Sequence, residues 1–197
     1  MMLKVGLTGG IGSGKSIISR VFGILGAPVF NADFEAKMLM ESEPGVREKI
    51  RLEFGQDIYT SGRLDRKRLA SLVFGNQDLL AKLNGIVHPA VGELFRKWVK
   101  SKEGVPYIIK EAAILFESGG YRELDHVVLV SAPPGLRISR VMERDGVDRE
   151  SVEQRMANQW PDERKRELAD TILVNDGNNP VLQTLLKLDA KFRKGDA

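Results

Sequence analysis

Short apolar runs recur along the chain and predict the strands of a parallel sheet. There are five such runs: Leu3–Leu7, Val29-Phe30, Tyr107–Ile109, Val127–Val130 and Thr171–Val174. The last three runs do not alternate with polar residues, which is typical of strands buried on both faces of a parallel sheet, because helices cover both sides. Helical apolar spacing lies between the runs and after the last one, as in Lys15–Leu25 and Val181–Phe192. This alternation predicts an α/β fold with a five-stranded parallel sheet sandwiched by helices.

Two stretches without such runs have a helical pattern. The first, residues 34–102, is too long for a simple crossover between strands and therefore predicts a helical insertion. The second consists of two charged helices, Leu136–Glu143 and Arg149–Trp160, joined by a turn at Asp145-Gly146. Asp148 is the predicted N-cap of the second charged helix, because aspartate is favoured at that position.

Composition excludes several classes of protein. The 197 residues include no cysteine and two histidines, which excludes a disulfide scaffold, a thiolate metal site and a cysteine nucleophile. No apolar stretch approaches the ~20 residues that span a bilayer, and no apolar secretory signal opens the chain, so we expect a cytoplasmic protein without a membrane partner. The net charge, 30 − 27 = +3, is too small and too scattered to indicate nucleic-acid binding.

The segment from Gly9 to Ser16, called the glycine loop below, matches the pattern G-x-x-x-x-G-K-[ST] between a predicted strand and a predicted helix. Glycines let the backbone curl so that successive N–H groups converge on an anion, and the helix adds its positive dipole end. Lys15 is predicted to contact the β- and γ-phosphates, and Ser16 to be a ligand of Mg²⁺. The residues predicted to bind the nucleotide are Gly10, Ile11, Gly12, Ser13, Gly14, Lys15, Ser16 and Ile17. The pattern leaves the fate of the terminal phosphate open.

A kinase also needs a carboxylate that faces the acceptor hydroxyl and cations that stabilise the transferred phosphate. Asp33 follows the second predicted strand, at the sheet edge where ligands of such folds bind, so it is a candidate general base. Its alternative role is an N-cap. Arg137, Arg140 and Arg144 recur on one face of the first charged helix, with Arg155 on the next. They are candidates for phosphate contacts, the alternative being a solvated helix face.

Several segments, taken in order, resemble the dephospho-CoA kinase family, whose members transfer the γ-phosphate of ATP to the 3′-hydroxyl of dephospho-CoA. Besides the glycine loop they are Asn31-Ala32-Asp33, Leu64-Asp65-Arg66, His88-Pro89, Ile114-Leu115-Phe116-Glu117, Arg140 to Asp145, Gln154 to Gln159 and Asn175-Asp176-Gly177. The resemblance extends from Leu3 to about Gly177. The glycine loop alone is generic to many nucleotide enzymes, whereas the combination is specific.

The resemblance implies ATP as donor, Mg²⁺, and dephospho-CoA as the small-molecule substrate. The sequence itself does not reveal the oligomeric state, and our expectation is a monomer. It implies a P-loop nucleotide-binding core of residues 1–33, 103–136 and 164–197, a CoA-binding insertion of residues 34–102, and a lid of residues 137–163. The catalytic residues it implies are Asp33, Lys15 and Arg140. The residues expected to contact the nucleotide are Arg144, Asn175 and Gly177. Those expected to contact the substrate are Asp33, Arg66 and His88. For His88, a buried or capping role is an equal alternative.

The sequence departs from the family's pattern at two positions. Asn31 stands where an acidic residue is frequent, and Ala113 stands where proline is frequent. The metal therefore relies either on Glu111 as a second carboxylate ligand or on Ser16, phosphates and water alone. Glu117 is expected to be structural.

Two other functions remain open at this point. The first is another small-molecule P-loop kinase, such as a nucleoside or nucleoside-monophosphate kinase, which a competition screen of acceptors would distinguish. A nucleotide-dependent switch would share the loop only, and the absence of an N-K-x-D guanine motif argues against a GTPase.

Overall fold

A computed structural model describes residues 2–196, so Met1 and Ala197, the outermost residues of the predicted core, lie outside the described part. The chain forms two compact units. The first comprises the chain up to Asn31 and from Lys102 onward, and the second is Ala32–Ser101. The strands, in chain order, are β1 (Leu3–Thr8), β2 (Val29–Asn31), β3 (Tyr59–Thr60), β4 (Arg63–Leu64), β5 (Tyr107–Glu111), β6 (His126–Ser131) and β7 (Thr171–Val174). The helices are α1 (Lys15–Ile24), α2 (Ala32–Ser42), α3 (Pro44–Phe54), α4 (Arg66–Val73), α5 (Gln77–Lys100), α6 (Pro134–Asp145), α7 (Arg149–Ala157), α8 (Asp162–Leu168) and α9 (Val181–Arg193).

The first unit is built on a parallel sheet of five strands in the order β2-β5-β1-β6-β7, which confirms the predicted fold class. The apolar runs form the interior of this sheet, since Val5, Ile109 and Val128 have no exposed surface. Helices α1 and α9 cover the sheet with buried side chains such as Phe22 and Phe192. All strand carboxyl ends meet at one edge because the strands are parallel, and the glycine loop follows β1 at that edge.

The second unit is mainly helical, as predicted. Its helices α2 to α5 pack around a core that includes Ile50, Ile58 and Leu69. A short hairpin of β3 and β4 was not predicted, because two residues per strand are too few to produce a recognisable alternation. Its turn uses Ser61 and Gly62 with φ of 50° and 80°, a conformation that glycine adopts readily.

The charged helical segment of residues 137–163 lies in the first unit. Asp148 is the N-cap of α7, as predicted, and its carboxylate accepts a hydrogen bond from the Ser151 N–H at 2.8 Å. The predicted extent of that helix was wrong, because α7 ends at Ala157 and α8 follows separately. Pro161 accounts for the break, since a residue that precedes proline is disfavoured in a helix. Within residues 2–196, no helix combines the length and apolar character needed to cross a bilayer.

Candidate active site

The glycine loop joins β1 to α1 and has the conformation of an anion-binding site. Gly12 and Gly14 have φ of 78° and 92°, a region that L side chains rarely adopt. The Ser13 N–H donates to the Gly10 carbonyl oxygen at 3.0 Å and closes a turn within the loop. Helix α1 begins immediately after Gly14, so the positive end of its dipole adjoins the loop.

Glu111, the last residue of β5, brings together the two functional side chains of the loop. Its Oε1 lies 2.8 Å from Nζ of Lys15 and accepts a 3.0 Å hydrogen bond from Ser16 Oγ. Its Oε2 accepts a hydrogen bond from Asn31 Nδ2 at 3.3 Å. The sheet register explains this meeting, because Leu7 and Asn31 both pair with Glu111 at the carboxyl ends of neighbouring strands.

The carboxyl group of Glu111 is 3% exposed and ionised. Burial by itself raises its pKa, but the ammonium of Lys15 and the hydroxyl groups of Ser19 and Ser16 outweigh burial. The pKa of Glu111 therefore lies below the ordinary 4.5. Each charge of the Lys15–Glu111 pair depends on the other, since an isolated charge buried to this extent is strongly unfavourable.

The oxygen atoms beside Lys15 fit a magnesium ion. The hydroxyl of Ser16, in the first turn of α1, and the carboxylate of Glu111, at the end of β5, lie 3.0 Å apart. Mg²⁺ prefers such oxygen ligands, keeps several waters, and is commonly bound by one or two protein groups together with substrate phosphates. Among residues 2–196, no group of three or more His, Cys, Asp or Glu could hold a metal ion. The chain thus offers a partial oxygen shell that a nucleotide and water would complete.

Asn175, directly after β7, links the glycine loop to α6. Its Nδ2 donates to the Ser13 carbonyl oxygen at 2.8 Å, and its own carbonyl oxygen accepts from Arg140 Nη1 at 3.1 Å. A side chain on Gly14 would overlap the Asn175 amide, so this contact requires glycine. Arg140 is thereby fixed next to the loop on which it was predicted to act.

A groove of about 350 Å³ lies beside the loop and has mostly apolar walls. Its lining residues are Gly14, Ile17, Ile18, Val21, Arg140, Asn175, Val181, Leu182 and Leu185. Ile17 and Leu182 are 69% and 59% exposed, so apolar surface is open to solvent here. Gly177 follows with φ of 89°, which turns the chain towards α9. The groove has the size and chemistry for a flat, partly apolar group such as a nucleobase.

The arginines of the charged helical segment do not share one solvated face, so the alternative of a solvated helix face is wrong for Arg137. Arg137 is 5% exposed and donates Nη1 to Asp162 at 2.9 Å, while its Nε binds the backbone of the glycine loop. Arg144 and Arg155 instead converge on Asp145 at the surface. Arg144 and, to a smaller extent, Arg155 lower the pKa of that carboxyl to about 2. Helical spacing could not reveal Asp162 as the partner of Arg137, because Asp162 lies on a different helix, α8.

Glu117 anchors the end of the charged helical segment. Its Oε1 accepts from the Trp160 N–H at 2.9 Å and lies 3.1 Å from Nζ of the fully buried Lys165. This geometry agrees with the structural role expected for Glu117. Nearby, Gln159 Nε2 reaches the carbonyl oxygen of Ala113 at 3.5 Å. Because Gln159 contacts the backbone carbonyl of residue 113 and not its side chain, alanine at position 113 is compatible with this contact.

The remaining predicted residues lie in the second unit. Asp33 is half-buried in the first turn of α2, two residues after Asn31, and is therefore not the N-cap of that helix. Arg66 begins α4 and lies 3.4 Å from Glu41, with its side chain 55% exposed. His88 lies within α5, and its partial burial lowers the pKa of the imidazole below 6.5. His88 is thus neutral near pH 7.

Comparison with known proteins gives a consistent result. The sequence model of the dephospho-CoA kinase family matches residues 3–180. A dephospho-CoA kinase of Bacteroides fragilis (strain YCH46) is 39% identical over 190 residues, which are 96% of this chain and 93% of that protein. The crystal structure of a protein from Thermus thermophilus superposes with a TM-score of 0.85 at 36% identity and covers 95% of both chains. A dephospho-CoA kinase from Campylobacter jejuni superposes with a TM-score of 0.71 at 28% identity and covers 99% of both chains. With this similarity over nearly its whole length, the chain belongs to the dephospho-CoA kinase family.

Proposed function

We propose that this protein transfers the γ-phosphate of ATP to the 3′-hydroxyl of dephospho-CoA, giving coenzyme A and ADP, as a monomer in the cytoplasm. The observation that carries the proposal is the assembly of Lys15, Ser16 and Glu111 at the glycine loop of a chain that belongs to this family. This assembly provides the cation and oxygen ligands that phosphoryl transfer needs.

The donor side is assigned to the first unit. The backbone of the glycine loop holds the phosphates, and Lys15 exchanges Glu111 for the β- and γ-phosphates when the nucleotide binds. Ser16 and Glu111 would hold Mg²⁺, which neutralises charge on these phosphates when it is bound. The nucleobase lies in the apolar groove beside Asn175 and Gly177. Arg140, already fixed at Asn175, stabilises the charge of the transferred group.

The acceptor side is assigned to the second unit as a CoA-binding insertion, with residues 137–163 as a lid. The 3′-hydroxyl gives its proton to Asp33 while its oxygen bonds to the γ-phosphorus. The bond from that phosphorus to the β,γ-bridging oxygen breaks, and ADP leaves. Arg66 and His88 are proposed to contact the substrate, His88 as a neutral imidazole because burial lowers its pKa.

The direct test is ADP formation with dephospho-CoA, adenosine or AMP as the acceptor. We expect turnover with dephospho-CoA, and a folded protein that gives none with it, or prefers AMP, contradicts the proposed acceptor. Asp33→Asn should lower kcat about 10²- to 10⁴-fold with unchanged ATP affinity, because a general base acts in the transition state. The matched control is Asp78→Asn, which changes another first-turn aspartate of the second unit and should remain active. Equal loss of ATP binding in Asp33→Asn would make Asp33 a structural or metal-linked residue.

A further inference from the structure

Both backbone polar groups of Ile11 are bound by the charged helical segment. The Ile11 carbonyl oxygen accepts from Arg137 Nε at 2.9 Å, and its N–H donates to Gln159 Oε1 at 2.9 Å. Arg137 lies on α6, whereas Gln159 lies between α7 and α8. Two separate parts of the segment therefore hold a single residue of the glycine loop.

These two bonds orient the peptide groups on either side of Ile11. A trans peptide is planar, and its C=O and N–H point in opposite directions. Because Arg137 holds the Ile11 carbonyl, the N–H of Gly12 in the same peptide group points away from α6. Because Gln159 holds the Ile11 N–H, the Gly10 carbonyl points the opposite way, where it accepts the Ser13 N–H at 3.0 Å. The turn of the loop thus depends on both bonds.

Arg137 is itself held rigidly. Its side chain is 6% exposed, and Nη1 lies 2.9 Å from Oδ1 of Asp162. The glycines beside Ile11 leave room for it: a side chain on Gly10 would overlap the guanidinium, and one on Gly12 would overlap the backbone of Arg137. The sequence G-I-G at this point therefore allows α6 to approach the loop closely.

The side chain of Ile11 completes the connection. It packs against an apolar cluster formed by Ile138, Val141 and Val152, which joins α6 to α7. Ile11 is the one residue with a side chain in the stretch Gly9–Gly12. Backbone and side chain of Ile11 are therefore both attached to the charged helical segment.

We propose that Arg137 and Gln159 are positioning residues, which act through the two peptide groups of Ile11 to keep the amides of the glycine loop aimed at the phosphates. Asp162 supports this action because it holds Arg137. The inference rests on the proposed binding of a nucleotide at the loop. It does not depend on the identity of the acceptor, so it is tested by binding of phosphates without turnover.

The test compares Gln159→Met, Arg137→Lys and Asp162→Asn with the unchanged protein. Kd is measured by calorimetry for ADP and for inorganic tripolyphosphate, together with KM for dephospho-CoA, kcat and the unfolding temperature. Gln159→Met removes the acceptor of the Ile11 N–H and the long 3.5 Å contact with Ala113 from a partly exposed position, so the fold should be preserved. We expect Kd for ADP and for tripolyphosphate to rise together about three- to tenfold, the usual effect of one lost hydrogen bond. KM for dephospho-CoA should be unchanged.

Arg137→Lys keeps a positive charge near Asp162, but an ammonium group cannot bind both Asp162 and the Ile11 carbonyl oxygen as the guanidinium does. It should therefore weaken the binding of ADP and of tripolyphosphate at least as much as Gln159→Met does. Asp162→Asn should act in the same direction with a smaller effect, although it changes no group on the loop. Arg149→Gln, which alters an exposed ion pair of α7, is the matched control and should leave every Kd unchanged. Wild-type affinity for both phosphate ligands in a folded Gln159→Met variant would overturn the proposal. A rise in KM for dephospho-CoA as large as the rise in Kd for ADP would also overturn it, because it would indicate a general structural defect.

Discussion

The ammonium group of Lys15 lies 2.8 Å from Oε1 of Glu111, so the lysine of the glycine loop and the carboxylate at the end of β5 form a nearly buried ion pair. In this arrangement each charge is compensated without a nucleotide. If phosphates bind Lys15 in place of Glu111, the Glu111 carboxylate needs another cation. A magnesium ion is chemically suitable, because the neighbouring Ser16 hydroxyl supplies a second oxygen ligand. Exchange of partners at Glu111 would couple metal binding to nucleotide binding.

Glu111→Gln tests this coupling. The amide keeps the shape of the side chain but removes the charge that attracts the metal. We expect the apparent affinity for Mg²⁺, or the activity, to fall about 10- to 100-fold. This is the range seen when a group that supports a metal site is lost. The measurement is the initial rate as a function of Mg²⁺ at fixed ATP. Glu153→Gln, an exposed carboxylate of the same unit, is the control. A variant with an unchanged Mg²⁺ titration would show that the metal does not use Glu111.

The buried pair of Lys165 and Glu117 predicts a large effect on stability. Lys165 is fully buried and Glu117 is 14% exposed, and Glu117 Oε2 has no hydrogen-bond partner among the described residues. Lys165→Met leaves a carboxylate without its cation, which should cost about 3–5 kcal/mol in the free energy of unfolding. The double variant Glu117→Gln/Lys165→Met should recover part of this loss, because no uncompensated charge remains. Urea unfolding measures both, and a Lys165→Met variant as stable as the unchanged protein would contradict the prediction.

His126 predicts that stability falls on mild acidification. It is 4% exposed, and its Nε2 lies 2.9 Å from Thr171 Oγ1. Burial lowers the pKa of the imidazole below 6.5, although Asp170 partly opposes the shift. Below pH 6.5 the unfolded chain therefore binds a proton that the folded protein does not, and stability decreases as the pH falls.

The difference in unfolding temperature between pH 7.5 and 5.5 should be smaller in His126→Gln than in the unchanged protein. The pKa of His88 is lowered by burial as well, so the double variant His88→Gln/His126→Gln should have the smallest difference. An identical pH dependence in all three proteins would mean that neither histidine contributes to it.

The sheet could be predicted from the sequence because burial on both faces leaves a strong signal. Runs such as Val127–Val130 have no polar residue, and the structure places each run in its own strand of the sheet. The glycine loop was recognisable because its residue types are required locally by backbone geometry. Both the apolar runs and the glycine loop can be recognised from a few consecutive residues.

Contacts between distant residues could not be predicted in the same way. Helical spacing placed Arg137 on a basic face, but its partner Asp162 lies 25 positions away on a helix that was not predicted. Gln159 lies in a segment that carries the family resemblance, but no role could be predicted for it, since its partner is a backbone N–H. Glu111 was recognised as one of two alternatives for the metal, and only the strand register shows that it meets Lys15.

The second unit connects two strands that are immediate neighbours. The chain leaves β2 at Asn31, and β5 pairs with it in parallel register, Val29 opposite Ile109. Topologically the whole helical unit is one crossover, and the pairing of the two strands does not depend on how long that crossover is. The insertion therefore leaves β2, β5 and β1 in register with one another, so Asn31 and Leu7 both remain paired with Glu111 despite the length of chain between β2 and β5.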